Sequence, residues 1–217
     1  MTVFVALLRA VNVGGTGMLS MADLKALCEE IGFQDVRTYI QTGNVVFRAE
    51  ADEATVLAQL EKALATKMGK SPGVILRSRE ALERVAEHSP FPHAKPNYLL
   101  ITFLQEPAPE DALEKLVAPG GEEVHIAGRE IYVHYPDGSG RSKLKLPALK
   151  AGTSRNLNTV RKLAEMAREQ GGRLGTRQQG LIVSASKEDI GDPDCIFGNG
   201  VKDDDALFKN RHANAGT

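Results

Sequence analysis

The chain has 217 residues, with 27 lysines and arginines against 28 aspartates and glutamates, for a net charge of −1. That balance excludes attraction of nucleic acid or an anionic membrane by bulk charge and leaves electrostatics to local clusters. A hydrophobic fraction of 42 % supplies a core, and no apolar run is long enough to cross a bilayer.

The two cysteines, Cys28 and Cys195, have neither metal-ligand nor disulfide-framework spacing. The apolar start Val3–Leu8 is too short for a secretory signal core and meets Arg9 at once. A reducing cytoplasm is the expected location, with no membrane contact.

Val3–Leu8 is apolar on both alternating faces, as a central strand is. After a loop, Ala10–Leu19, Ser20 offers an N-cap and Asp23 the acidic partner of a capping box. The helix carries the stripe Leu24, Leu27, Cys28, Ile31, which predicts a buried, inert thiol, and stops at Gly32. Val36–Ile40 and Val45–Arg48 read as strands joined by the turn Gln41-Thr42-Gly43-Asn44. Leu57, Leu60 and Leu64 mark a second helix ending at Gly69, and Val74–Leu76 a fourth strand. The order β-α-β-β-α-β is the ferredoxin-like pattern.

A third helix near Glu80–Glu87 leads into SPFPHAKPN, whose three prolines mark a boundary. The pattern then restarts. Tyr98–Leu104 reads as a strand, Glu110–Val117 as a helix, and Val124–Ala127 with Ile131–Tyr135 as a hairpin around Gly128-Arg129. Ser142–Ala151 and Asn158–Gln170 read as helices, with no last strand at the expected place. Leu181–Ala185 is a weak strand signal, and Asp189 onward, with Asp203–Asp205, reads as a solvated tail rather than a metal site.

The expected class is therefore α+β: two tandem ferredoxin-like units, the second imperfect, with an irregular C-terminal extension. The boundaries are 1–78 for the first unit, 79–96 for helix and linker, 97–170 for the second unit, and 171–217 for a partly disordered extension.

In a β-α-β-β unit the loop after strand one and the strand two–three hairpin lie at the same end. Asn12, Gly14 and Gly15 should then face Gln41, Thr42, Gly43 and Asn44. Glycines admit a ligand close to the backbone, and successive N–H groups form an anion-binding nest. Arg9 adds a fork suited to phosphate or carboxylate. The bland reading is that the glycines only turn the chain and Asn44 caps its own hairpin. The loop is neither a Walker A sequence nor GxGxxG.

A basic cluster follows in GRSKLKLP and GTSRNLNTV, where Ser142, Lys143, Thr153, Ser154, Arg155 and Asn156 offer donors to an anion. Helix capping plus a solvated basic face is the alternative. His125 and His134 fall on one alternation of the second hairpin, and His88 and His93 flank the linker. None has metal-ligand spacing, so no metal and no cofactor is expected. No Ser-His-Asp order or nucleophile elbow is present.

The runs LLRAVNVGG, MADLKALCEEIGF, VRTYIQTGNVVF and GTSRNLNTV, in this order, resemble the bacterial domain of unknown function 1697 family. The resemblance spans Met1 to about Gln170. It implies compact proteins built on ferredoxin-like units and carries over no reaction. Two departures stand out. This chain has Ala10 where the family usually has Gly, and Leu157 where it often has Trp, which removes a possible stacking platform.

Three functions follow as expectations. The first is a small phosphate-bearing or otherwise anionic ligand bound by the Asn/Gly loops and GTSRN. The second is a hydrolase or transferase for a phosphorylated or acyl-phosphate metabolite, with Arg9 stabilising charge and Asn44 positioning water. The third is a protein–protein adaptor using an uncovered sheet face, alone or as a homodimer. Nucleic acid is not favoured, because the stacking aromatics of RNA-binding sheets are missing. The sequence sets neither oligomeric state nor ligand.

Overall fold

The computed structural model describes residues 1–9 and 19–182, with side chains through residue 172. Apolar alternation and well-formed caps account for the first half. Strand β1 (Thr2–Leu8) is buried on both faces from Val3 onward. Helix α1 (Met21–Glu30) starts where Ser20 Oγ accepts the Asp23 N–H at 2.9 Å and donates to the Asp23 carboxylate at 2.6 Å. It ends at Gly32, whose φ of 92° suits glycine. Strands β2 (Gln34–Tyr39) and β3 (Asn44–Ala49) form the hairpin. Helix α2 (Glu53–Met68) is capped by Asp52 and stopped by left-handed Gly69, and β4 (Val74–Ser78) completes a sheet ordered β2-β3-β1-β4.

Helix α3 (Arg79–Glu87) precedes the proline-rich linker. The second sheet contains β5 (Leu99–Phe103), β6 (Glu123–Ala127), β7 (Glu130–His134) and β8 (Thr153–Asn156), ordered β6-β7-β5-β8. Helix α4 runs from Leu157 to Ile182. The molecule is thus a mixed α+β fold with two four-stranded antiparallel sheets and, among the described residues, four α-helices.

Four expectations are corrected. Glu110–Val117 is a single 3₁₀ turn, Ala112–Lys115, because the backbone extends from Leu116 so that Val117 pairs with Lys145, and Pro119 disfavours helical backbone at Ala118. Ser142–Ala151 is not a helix. Lys145 pairs with Val117 in an isolated bridge, and only Pro147–Ala151 coils, again as 3₁₀. The missing last strand is TSRN itself, four residues paired antiparallel to β5. Leu181 and Ile182 end α4 rather than begin a strand. Residues 183–185, Cys195 and the aspartates 203–205 lie outside the described residues.

One face of the first sheet packs Phe4, Ala6 and Leu8 against α1 and α2, with Cys28 in that core. Burial pushes the Cys28 thiol up to about 12. The other face, bearing Val3, Val5 and Leu7, joins a core made with α3, α4 and Leu99, Ile101, Phe103 and Tyr132 of the second sheet. The face that the sequence left uncovered is therefore filled from within the chain. Leu157 belongs to this core at 2 % exposure, so the position where the family often has Trp is a packing position here.

Arg77, on edge strand β4, crosses to the second sheet at 1 % exposure. Its Nε donates to Glu130 at 2.7 Å, and its two amino groups donate to the carbonyls of Leu76, Leu104 and Arg129. The guanidinium also lies 5.6 Å from the Phe103 ring centre. Burial is the main force on this group and lowers its pKa, while Glu130 opposes that shift.

Candidate functional site

Strand directions bring the end of β1 beside the β2–β3 turn, as the topology requires. The Leu8 N–H donates to the Gly43 carbonyl at 2.8 Å, and Leu7 pairs with Asn44. Gly43 takes φ 74° to make the turn, with Ile40 also left-handed at 47°.

Edge strand β8 reaches the same place from the second sheet. There Arg155 uses all five of its N–H donors. Nε meets Asn44 Oδ1 at 2.6 Å. One amino group meets Thr153 Oγ1 and the Ser154 carbonyl, both at 2.8 Å. The other meets the carbonyls of Leu8 at 3.1 Å and Thr42 at 2.9 Å. None of these acceptors is a carboxylate, so oriented dipoles hold the charge. Burial brings its pKa down to about 10.

Asn44 is fully buried and equally engaged. Its amide donates to the Tyr39 carbonyl and Thr42 Oγ1 while its oxygen receives Arg155. The two residues form a lock between the sheets. Their hydrogen-bonding capacity is used inside the protein and is not presented to a guest.

Arg9 donates to the Lys150 carbonyl at 2.8 Å, and its stem lies against Gly73. Ser154 Oγ shares a 2.7 Å hydrogen bond with Thr102. Gly152 is required just before β8, since a Cβ there would lie 2.3 Å from the Phe103 carbonyl oxygen. Asn156, at the far end of the strand, caps α4 through the Thr159 N–H at 2.9 Å.

Arg9, Thr42, Gly43, Asn44, Thr153, Ser154 and Arg155 are thus gathered at one end of the molecule, with Gln41 on the same turn. Asn12, Gly14 and Gly15 lie outside the described residues.

Ser142 and Lys143 belong elsewhere. Thr153 pairs with Phe103 at one end of β5, whereas Leu99 at the other end pairs with His134. Beyond that second end lies a hollow of about 590 Å³ lined by Gly120, Glu122, Tyr135, Arg141, Ser142 and Lys143, among others. Glu122 accepts from the Ser142 hydroxyl and from the Gly120 N–H, the latter at 2.8 Å. The Ser142 contact chiefly holds the Glu122 carboxyl below the usual range. Burial, with Glu122 nearby, pushes the Tyr135 hydroxyl up. Arg141 and Lys143 are exposed at the rim, and neither has an acidic partner among the described residues. Lys162 and Arg168 of the same basic stretch do, with Glu165 and with Glu83 and Glu87.

One further grouping carries no motif in the sequence. Glu123 was not singled out, and His93 and His134 looked unrelated across 41 positions of chain. The β6–β7 register sets Glu123 directly opposite His134, and the folded linker brings His93 to both. Only the hairpin alternation, which puts His125 and His134 on one face, hinted at it.

The fold and these clusters define an α+β protein of two antiparallel sheets locked by reciprocal arginines. A family model described as "Protein of unknown function (DUF1697)" matches residues 1–132, and the chain belongs to that family. The matched stretch ends before GTSRNLNTV. No curated protein matches the chain. Among solved structures, the chain is similar to the conserved bacterial protein SP0830 from Streptococcus pneumoniae. The two share 24 % identity and a TM-score of 0.64, over 76 % of this chain and 98 % of that one. The likeness is one of fold. No helix among the described residues is long and apolar enough to cross a membrane.

Proposed function

We propose that the protein binds a small anionic, phosphate-bearing ligand, and that the hollow beside Arg141, Ser142 and Lys143 receives it. The observation that carries this reading is the pair of exposed cations without acidic partners among the described residues, on either side of a hydroxyl, at the rim of a cavity of metabolite size. Glu122 and Asp137 also line the hollow. Ser142 and Gly120 engage the Glu122 carboxylate and keep it ionised, so the ligand is placed at the Arg141 and Lys143 rim, away from it. The Arg155–Asn44 lock takes a structural part in this reading, which moves the ligand from the first unit to the second. We also read both halves as ferredoxin-like units, 1–78 and 97–170, with 3₁₀ turns replacing helices in the second, and the protein as cytoplasmic. The matching strand orders support the first of these.

The test is isothermal titration of the full chain with inorganic phosphate and with a nucleoside diphosphate. Saturable binding at one site per chain is expected, weakened at least about tenfold in Arg141→Ala/Lys143→Ala. An equal affinity in the double variant, or no saturation, overturns the proposal. Retention on RNA with a steep salt dependence favours a nucleic-acid backbone instead.

A further inference from the structure

We infer that His93, Glu123 and His134 form a binding site for one divalent transition-metal ion of the zinc type. The three side chains come from the proline-rich linker, the first residue of β6 and the last residue of β7. His93 Nε2 lies 2.8 Å and His134 Nδ1 2.7 Å from the same oxygen, Glu123 Oε2. All three potential ligand atoms fall within 4.8 Å of one another. The imidazoles meet at 80° with ring centres 5.1 Å apart, so their nitrogens converge on the carboxylate instead of stacking past it.

As hydrogen bonds alone, this arrangement loads two ring N–H groups on one carboxylate oxygen. Glu123 Oε1, the other oxygen, accepts no hydrogen bond from a described residue. One dipositive ion replaces both ring protons and uses two neutral lone pairs and one negative charge. Tetrahedral zinc with bonds of about 2.0–2.2 Å sets its donors roughly 3.3 Å apart. The present nitrogen–oxygen spacings are only about half an ångström shorter, which small side-chain rotations supply.

The scaffold is rigid where it needs to be. Glu123 and His134 are direct cross-strand neighbours, and His134 is only 9 % exposed. Phe91 flanks both histidine rings, at 6.3 Å from His134 and 6.1 Å from His93, and walls one side from water. His93 and Glu123 are exposed, so water completes the coordination. Two imidazoles and one carboxylate suit zinc and its transition-metal neighbours, and discriminate against magnesium and calcium, which prefer oxygen. The bound ion pins the linker to the second sheet. It lies on the face of Tyr132 and Leu99, opposite the face on which Tyr135 borders the anion hollow.

The experiment titrates Zn²⁺ into untagged, chelator-stripped full-length protein by calorimetry, with Mg²⁺ as comparison. One Zn²⁺ per chain is expected, with no Mg²⁺ binding, together with a zinc-dependent rise in Tm that EDTA reverses. His93→Ala and Glu123→Gln, both at exposed positions, are expected to bind at least about tenfold more weakly. His125→Ala, on the same face two residues away, keeps wild-type affinity. Circular dichroism confirms that His93→Ala is folded. No saturable binding up to about 1 mM Zn²⁺ overturns the inference. So does equal affinity in wild type and His93→Ala.

Discussion

Replacing Arg77 with methionine tests whether the two sheets are held as one body by the arginine that crosses between them. Methionine keeps an apolar stem over Phe103 but removes the charge and four hydrogen bonds. It leaves Glu130 facing a buried void and strips the Leu104 and Arg129 carbonyls of a donor. Removing one partner of a buried pair costs about 3–5 kcal/mol. Glu130 keeps 16 % side-chain exposure, so water relieves part of that cost and the lower end, about 3 kcal/mol, applies. With an m-value of roughly 2 kcal/mol per molar urea, the unfolding midpoint falls by about 1.5 M. Equilibrium urea unfolding followed by circular dichroism reads this directly. Adding Glu130→Gln to the variant removes the orphaned charge and is expected to recover about 1 kcal/mol or more. A midpoint shift below about 0.3 M, or no recovery in the double variant, refutes the reasoning.

Two further outcomes follow from buried groups. Asn44→Ala deletes three hydrogen bonds and leaves the Arg155 Nε–H without its acceptor, so thermal or urea unfolding is expected to show a loss of about 2–4 kcal/mol. Cys28 titrates near 9 when unfolded but at about 12 when folded, so the folded state holds its proton longer. Its stabilising effect is complete below pH 9 and is lost as pH rises toward 12, at up to about 1.4 kcal/mol per pH unit. Cys28→Ala is expected to flatten the stability profile above pH 9. Tyr132, raised to about 12 by burial, adds a slope of the same sign, and Arg155, brought down to about 10, adds one of the opposite sign above pH 10, so the comparison of wild type with Cys28→Ala isolates the thiol.

Short-range chemistry made most of the first sheet legible before any coordinates. Ser20 with Asp23, Gly32 and Gly69 are local helix signals, and each acts where the sequence placed it; the Asp52 cap of α2 is as local and was passed over. The second half was harder. The pairing of Val117 with Lys145, and Pro119 just beyond it, turned a helical pattern at 110–117 into 3₁₀. Four polar residues with no apolar run gave no strand signal, yet TSRN pairs with β5 because an edge strand needs only one partner. Of the candidate site, the meeting of the end of β1 with the 42–44 turn followed from strand direction, while Asn12, Gly14 and Gly15, expected to face that turn, lie outside the described residues. The saturation of Asn44 and Arg155 did not, because their bond joins residues 111 positions apart.

Alternation, caps and turn glycines are local, and from them alone the chain dictates its α+β class, the first four strands and the burial of Cys28. The tertiary structure decides what is far apart in the chain. It spends Arg155 and Asn44 on a lock, sets Arg141 and Lys143 exposed at the rim of a hollow, and closes His93, Glu123 and His134 on one point. The reason is geometric. A side chain's partners are fixed by sheet register and by which edge meets which, and neither quantity is encoded in the few residues on either side of it.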